Sequence, residues 1–184
     1  MNAALRLIPP DAAHLPHYVA ALEAGWSPNT TRDVSAEQCR AIAADPAAFL
    51  AGLCRDTPGR RLLPDGSSVV WLPGRTFWLW DGEFAGSINL RRQPGTEALP
   101  AHVSGHVGYA VVPWKRRRGY ATQALQAILP VARAFGLPRV LLTCDADNAA
   151  SRRVIEHAGG TPIRSVRNPN RPGVRRLRFW VATG

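Results

Sequence analysis

Cysteine is scarce: Cys39, Cys54 and Cys144 are the three in 184 residues, an odd number, far apart and without a CxxC pair. That excludes a disulfide framework and a thiolate metal site. His14 and His17 are three apart, but Pro16 lies between them and no acidic or cysteine partner is apparent nearby, so they read as surface histidines and no metal is expected. No run of about 18 apolar residues exists, so no transmembrane helix and no membrane partner are expected. Arg6, Pro9, Pro10 and Asp11 interrupt any apolar leader, so no signal peptide is expected and a cytoplasmic location follows as the default. Neither an internal repeat nor a linker breaks the chain, and 184 residues with 46% hydrophobic and 20% charged content suit one domain over 1–184 with a full core. Acidic residues become rare after residue 86: residues 87–184 hold 4 Asp+Glu against 16 Lys+Arg, whereas residues 1–86 hold 9 against 7. The net charge of +10 therefore belongs to the C-terminal half. An anionic partner is implied there, either nucleic acid or a polyphosphate cofactor, with solvated surface charge as the plain alternative.

What the chain does contain is a stretch from His106 to Thr122 with three different chemistries in order. His106 to Val112 has the β-branched and aromatic content of a strand. Pro113 stops it, having no N–H for a sheet ladder. Lys115 to Arg118 form a basic turn, and Gly119 opens a segment of helical period whose stripe is Ala121, Ala124, Leu125, Ile128, Leu129, Ala132 and Phe135. A strand, a cationic glycine-bearing turn and a helix start make an anion site, because free N–H groups and the positive helix end both face the turn. The turn is no Walker A loop, since no Gly-Lys-Ser/Thr follows. Nor is it a dinucleotide GxGxxG, since a single glycine is present.

The flanking chain reads as follows. Ala4 to Ile8 is a short edge strand. Asp11 starts a helix carrying Leu15, Tyr18, Val19 and Leu22, and Gly25 ends it. Ser35 and Gln38 form a capping box for a helix over about 35–44, and an apolar stretch follows near Ala47 to Cys54. Residues 57–66 carry Pro58, Gly59, Pro64 and Gly66 and read as a loop. From Val69 the period is two, with Trp71, Thr76, Trp78 and Trp80, then an Asp81-Gly82 hairpin turn and a return strand, Phe84 to Leu90, with Gly86 as a bulge. Three neighbouring antiparallel strands are expected across 69–112. Pro130 should kink or divide the helix after Gly119, which Gly136 and Pro138 end. Arg139 to Cys144 should lie parallel to 106–112. Asn148 caps a helix over 149–157, and Pro162 to Val166 and Arg175 to Val181 close the chain as two strands.

In this setting Val111-Val112-Pro113 followed by Arg116-x-x-Gly119-x-Ala121, then Val140 to Cys144, Asn148 and Gly159, resembles the GNAT superfamily of acyl-CoA-dependent N-acetyltransferases. Gly-His-Val-Gly-Tyr, Asp-x-Asn-x-Ala-Ser-Arg and Val-Ile-Glu-x-x-Gly-Gly are similar to a bacterial group of that superfamily. The resemblance implies an α/β (α+β) fold: a mixed, mostly antiparallel central sheet with flanking helices and a V-shaped split between two parallel strands. It implies acetyl-CoA as cosubstrate, a primary amine as acceptor by direct attack, and a monomer or homodimer. Backbone amides across Arg117, Arg118, Gly119, Tyr120, Ala121 and Thr122 would hold the pyrophosphate beside Arg116. The main chain at Ala110, Val111 and Val112 would pair with the pantetheine arm, and a backbone N–H there would polarise the thioester carbonyl. Asn148 would contact that arm or orient the wall of the cleft, and Arg152 either reaches the cofactor or is solvated.

The amine must arrive neutral, so a base or a water relay is needed. His106 stands where many relatives carry a glutamate and is the candidate base; its alternative is a structural histidine bonding to a loop carbonyl. Glu97 and His102 are lesser candidates. The tyrosine acid of many relatives falls on Ile155 here, so that acid is missing. Trp71, Trp78, Trp80 and Phe84 line an acceptor pocket or, as alternating aromatics do more often, form core. Arg171, Arg175, Arg176 and Arg178 bind an acidic acceptor or make one solvated strand face. Two rival functions remain: an acyl-CoA-binding module without turnover, and a basic nucleic-acid-binding domain.

Overall fold

The computed structural model describes residues 4–62 and 68–184. Five helices and ten strands are assigned within them, and their order explains how the opening stretch is held. Strand β1 (Arg6–Ile8) leads to α1 (Leu15–Glu23), α2 (Ser35–Ala44) and α3 (Pro46–Leu53), and β2 (Cys54–Arg55), β3 (Gly59–Leu62), β4 (Ser68–Trp71), β5 (Gly74–Trp80), β6 (Phe84–Arg91) and β7 (Val107–Val111) follow. A 3-10 turn (Pro113–Lys115) precedes α4 (Tyr120–Ala134), β8 (Arg139–Asp145), α5 (Ala149–His157), β9 (Thr161–Arg167) and β10 (Arg175–Ala182).

The main sheet runs β1-β5-β6-β7, with β2 beside β5, and every pairing in it is antiparallel. The β5–β6 ladder slips between Leu79 and Trp80, so β6 is bulged near Gly86 as its glycine implies. Gly86 also lets two backbones meet: a Cβ there would lie 2.2 Å from the Ala110 carbonyl oxygen. Strand β8 belongs to a second sheet, β8-β10-β9. The two sheets are stitched at one point. His106 N–H donates to the Leu141 carbonyl at 2.8 Å, and Leu141 N–H donates back to His106 Nδ1 at 2.8 Å. Beyond that stitch β7 and β8 share no ladder, and the expected V-shaped split is the result.

Each face of the main sheet carries its own core. On one face Ile88 and Leu90 meet Leu125 and Ile128 of α4 and Ile155 of α5; on the other Trp78, Trp80 and Phe84 meet Tyr18, Leu22 and Trp26. Leu125, Ile128 and Ile155 are fully buried, which stabilises by roughly 1.5–3 kcal/mol per side chain. The aromatic alternation of β5 is therefore core. Trp71 departs from it, being 39% exposed in β4.

Several expectations need correction. Residues 59–62 are a strand paired with 68–71, not a loop; of the rest of the expected loop, 57–58 lie in no helix or strand and 63–66 lie outside the described residues. Ser35 is the first residue of α2 rather than its cap: Asp33 Oδ1 accepts from Ser35 N–H, and the Gln38 side-chain Oε1 accepts from the buried Tyr18 hydroxyl. Asp11 caps the turn before α1, through His14 N–H, and its carboxylate also meets His14 Nδ1 at 2.8 Å, so that histidine does have an acidic neighbour. The helix α4 is undivided through the exposed Pro130. Asn148 caps α5 as expected, accepting from Ser151 N–H at 3.0 Å.

Candidate active site

The basic turn owes its shape to two residues in the left-handed region, Arg117 at φ 65° and Gly119 at φ 77°. Alternating such residues with ordinary ones turns successive N–H groups inward to form an anion-binding nest. The backbone hydrogen bonds bear this out. Arg116 N–H donates to the Pro113 carbonyl and Gln123 N–H to the Gly119 carbonyl, but the N–H groups from Arg117 to Thr122 donate to no acceptor among the described residues. A row of unsatisfied donors at a helix start, flanked by arginines, fits a pyrophosphate.

A buried ion pair clamps this turn from below. Asp81, at the tip of the β5–β6 hairpin, accepts from Lys115 Nζ at 2.6 Å and from the Tyr120 hydroxyl at 2.6 Å. The Lys115 and Asp81 side chains are 7% and 5% exposed. Burial pulls the Asp81 carboxyl upward, but the bonds from Lys115 and Tyr120 outweigh it and hold it below its ordinary value. Lys115 moves the other way: burial lowers it, and Asp81 and Glu83 more than restore it. Lys115 is therefore a strut of the turn, since its charge is already spent within the protein.

A cleft of about 1440 Å³ opens between β7 and β8 and continues toward α1 and α2. Ala110 and Val111 line it, as do Arg116, Arg117, Gly119, Tyr120, Ala121, Thr122 and Asn148. Arg116 folds back, its Nε donating to the Val111 carbonyl at 3.2 Å. Two expected residues and the side chain of a third stand elsewhere. Val112 is fully buried and its N–H is taken by the Ala85 carbonyl. The Arg118 side chain is exposed outside the cleft wall, although its N–H belongs to the row of donors. Arg152 is paired with Glu156 at 2.7 Å on the outer face of α5, so its neighbour Arg153 lines the cleft instead.

His106 also stands apart from the cleft wall. It is fully buried, its Nδ1 lone pair accepts from Leu141 N–H, and its Nε2 is buried without a partner among the described residues. With Nδ1 as acceptor the neutral ring carries its proton on Nε2, which leaves no lone pair for a base. Burial first, then the neighbouring Arg91, pushes its pKa down to about 4 against the pull of Glu97. The geometry is that of a structural histidine bonded to backbone: Leu141 N–H donates to Nδ1, and the main chain of the loop residue Glu97 also bears on the ring, in line with the expected loop-carbonyl alternative. Glu97 is committed to Arg139 and His102 is exposed in its loop.

Two hydroxyl residues were not read from the sequence. Tyr109 of β7 and Ser151 of α5 both line the cleft, and their oxygens are 2.8 Å apart across it. Burial raises Tyr109 to about 12, against the opposing bond to Ser151, so it stays protonated. Ser151 lies one helical turn before Ile155, which is buried in the core. The signal was present in Asn148-x-x-Ser151, where the cap residue fixes the first turn and so aims position 151. Arg91, the last residue of β6, also lines the cleft, with its Nη2 donating to Asn89 Oδ1 at 2.6 Å. Arg171 and Arg176 line it as well but are tied to Asp145, while Arg175 and Arg178 do not. Among the described residues no group of three His, Cys, Asp or Glu is placed to hold a metal, and no helix is long and apolar enough to cross a membrane.

Comparison with known proteins gives the following. A family model described as an acetyltransferase (GNAT) domain matches residues 4–161. No curated protein matches. Among solved structures, the chain is similar to a Salmonella typhimurium acetyltransferase that modifies the N-terminal serine of a 50S ribosomal subunit protein, with 16% identity, a TM-score of 0.63 and coverage of 97% of this chain and 94% of that one. It is similar to Mycobacterium smegmatis RimJ in complex with CoA-disulfide, with 20% identity, a TM-score of 0.66 and coverage of 98% and 82%. It is also similar to the microcin self-immunity acetyltransferase MccE in complex with acetyl-CoA and AMP, at 11% identity, a TM-score of 0.65 and coverage of 98% and 93%.

Proposed function

The chain belongs to the GNAT acetyltransferase family, and from that premise we propose that it transfers the acetyl group of acetyl-CoA to a primary amine by direct attack. One observation carries the cofactor assignment: the N–H groups from Arg117 to Thr122 face a cationic turn and donate to nothing within the described protein. They would hold the pyrophosphate, with Arg116 and Arg117 beside it, and the free edge of β7 at Ala110 and Val111 would run along the pantetheine arm. Asn148 acts by capping α5 and so forming the cleft wall.

Acetyl-CoA supplies the activated thioester. The chain's residues orient it and manage charge. A β7 backbone N–H on the cleft side polarises the carbonyl. Tyr109 donates toward Ser151, which leaves the Ser151 proton available to the departing thiolate; this pair stands in for the tyrosine that Ile155 replaces. The amine loses its proton to ordered water, because His106 has no lone pair to offer. Acetyl-CoA and an amine-bearing acceptor are the partners in this reading, with a cytoplasmic location, one domain over 1–184 and a monomeric or homodimeric state as its corollaries.

The test is thermal stabilisation by acetyl-CoA followed by an amine screen that detects free CoA. Gly119→Val should abolish the shift. Space is available at Gly119, the nearest atom to an added Cβ being Gln123 Nε2 at 3.5 Å, so the loss would come from the left-handed backbone, which a β-branched residue resists. No shift with wild-type protein at millimolar acetyl-CoA would overturn the proposal. A shift without CoA release on any amine would favour a binding module without turnover.

A further inference from the structure

We infer that Arg91 is an anion anchor in the acceptor half of the cleft, so that the acceptor is an amine carrying a carboxylate or phosphate close to its nitrogen. The inference rests on the acetyltransferase reading and names the acceptor class of that same site.

Arg91 carries a charge that no carboxylate among the described residues answers. Arg75, Arg139, Arg152, Arg171 and Arg176 each pair with a carboxylate. Arg91 has no such partner among the described residues; its one side-chain hydrogen bond goes to the neutral Asn89 oxygen. It is half-buried, and burial pulls it down from its ordinary value with no carboxylate to offset that pull. A guanidinium has five N–H donors in a fixed fork suited to a carboxylate or phosphate. One desolvated on a cleft wall with its charge unmatched is costly unless a ligand completes it.

Its position decides what the ligand must look like. In the β6–β7 ladder Asn89 is opposite Gly108 and Ser87 is opposite Ala110. A Cβ on Gly108 would lie 3.1 Å from Arg91 Nη2 and 3.3 Å from Asn89 Oδ1, so the missing side chain lets the guanidinium lie against β7 on the cleft wall. Gly108 is two residues from Ala110, about 7 Å along a strand. An anion on Arg91 would therefore sit within a few bonds of an amine attacking at β7. Thr76 and Asn89 continue the same polar wall. The one carboxylate lining the cleft among the described residues is Asp145, which Asn168 and Arg171 already engage. Nothing there would attract a polycation. The guanidinium also disfavours an incoming ammonium, so it favours the neutral amine that attack requires.

The experiment uses the CoA-saturated full-length protein and matched pairs sharing one amine: alanine against alaninamide, phosphoethanolamine against ethanolamine, and a seryl-aspartyl peptide amide against its seryl-asparaginyl counterpart, with spermidine as polycation. Binding is read by calorimetry and turnover with acetyl-CoA by free CoA release. In at least one pair the anionic member should be favoured by tenfold or more in both readouts, and the pair that responds tells whether the anion is a free carboxylate, a phosphate or an acidic side chain. Arg91→Gln should bring that ratio to within twofold while leaving the acetyl-CoA thermal shift and the melting temperature unchanged or raised. Arg91→Lys should restore part of the preference. Equal or better use of the neutral members or spermidine by wild type would overturn the inference, as would an unchanged ratio in Arg91→Gln. Failure of CoA itself to bind would overturn the acetyltransferase reading instead, and repeating the amine titration on CoA-free protein then reads Arg91 independently.

Discussion

At His106 one side chain sets a pH limit on the whole fold. Its folded-state pKa is about 4, below the ordinary 6.5, so protonation favours the unfolded chain. The stabilisation is complete above about 6.5 and is lost as pH falls toward 4, a total of about 3 kcal/mol, of which about 2 falls between pH 7 and 5. Urea midpoints at the two pH values should show that loss in wild type and much less of it in His106→Asn, whose Oδ1 can still accept from Leu141 N–H. An equal pH slope in the two proteins would mean that His106 is not the titrating group. Ser151 calls for a kinetic measurement. Ser151→Ala should lower kcat about tenfold, below the usual range for a general acid, because a thiol of pKa about 8.5 leaves fairly readily unaided. The KM for acetyl-CoA should stay within about twofold, since Ser151 contributes to the thiolate and not to cofactor binding.

Between elements, the hairpin tip of β5–β6 and the start of α4 are joined by Asp81, and this joint ties the sheet to the anion turn. Removing the charge leaves the buried Lys115 with only the exposed Glu83 carboxylate at 3.1 Å, so the loss should fall at or below the low end of the roughly 3–5 kcal/mol for a broken buried pair. Asp81→Asn should therefore lower the denaturation midpoint and weaken acetyl-CoA binding about tenfold as the turn loosens. Lys115→Met together with Asp81→Asn should recover much of the stability, because no charge is left stranded. If the double variant is as unstable as Asp81→Asn alone, charge burial is not the cause. This clamp was not legible in the sequence, although the Asp81-Gly82 turn and the Lys115 to Gly119 turn each were. Periodicity and turn residues report local structure, whereas the clamp depends on a pairing between residues 34 apart. The same distinction explains the errors. Gly59 with Pro58 reads as loop, yet the segment gains a ladder with 68–71. Pro130 reads as a break, yet it lies on the exposed side of α4, where a missing N–H is tolerated and the buried stripe passes beneath it. His106 reads as a base because its place in the chain is right; only the tertiary contact with Leu141 reveals that its lone pair is committed.

For the whole molecule, composition located the charge but could not say which arginines are free. Many of the 16 basic residues after residue 86 are paired or solvated, as the plain reading of the composition held. What matters is the imbalance around the cleft, where Arg91, Arg116, Arg117, Arg153, Arg171 and Arg176 face a single lining carboxylate among the described residues. Such a rim attracts a polyanion before contact and adds to the encounter rate at low salt. The Debye length falls from about 14 Å at 50 mM to about 4 Å at 500 mM ionic strength, so the attraction should be mostly screened over that range. The kcat/KM for acetyl-CoA should therefore drop about tenfold between the two conditions while kcat changes less than about twofold, because the N–H groups of the turn act at contact distance, where salt has little effect. Arg153→Ala, on a cleft-lining side chain of α5 outside the turn, should flatten the salt slope without altering kcat. A salt-independent kcat/KM would show that the rim charges do not steer acetyl-CoA and that the backbone donors alone recognise it.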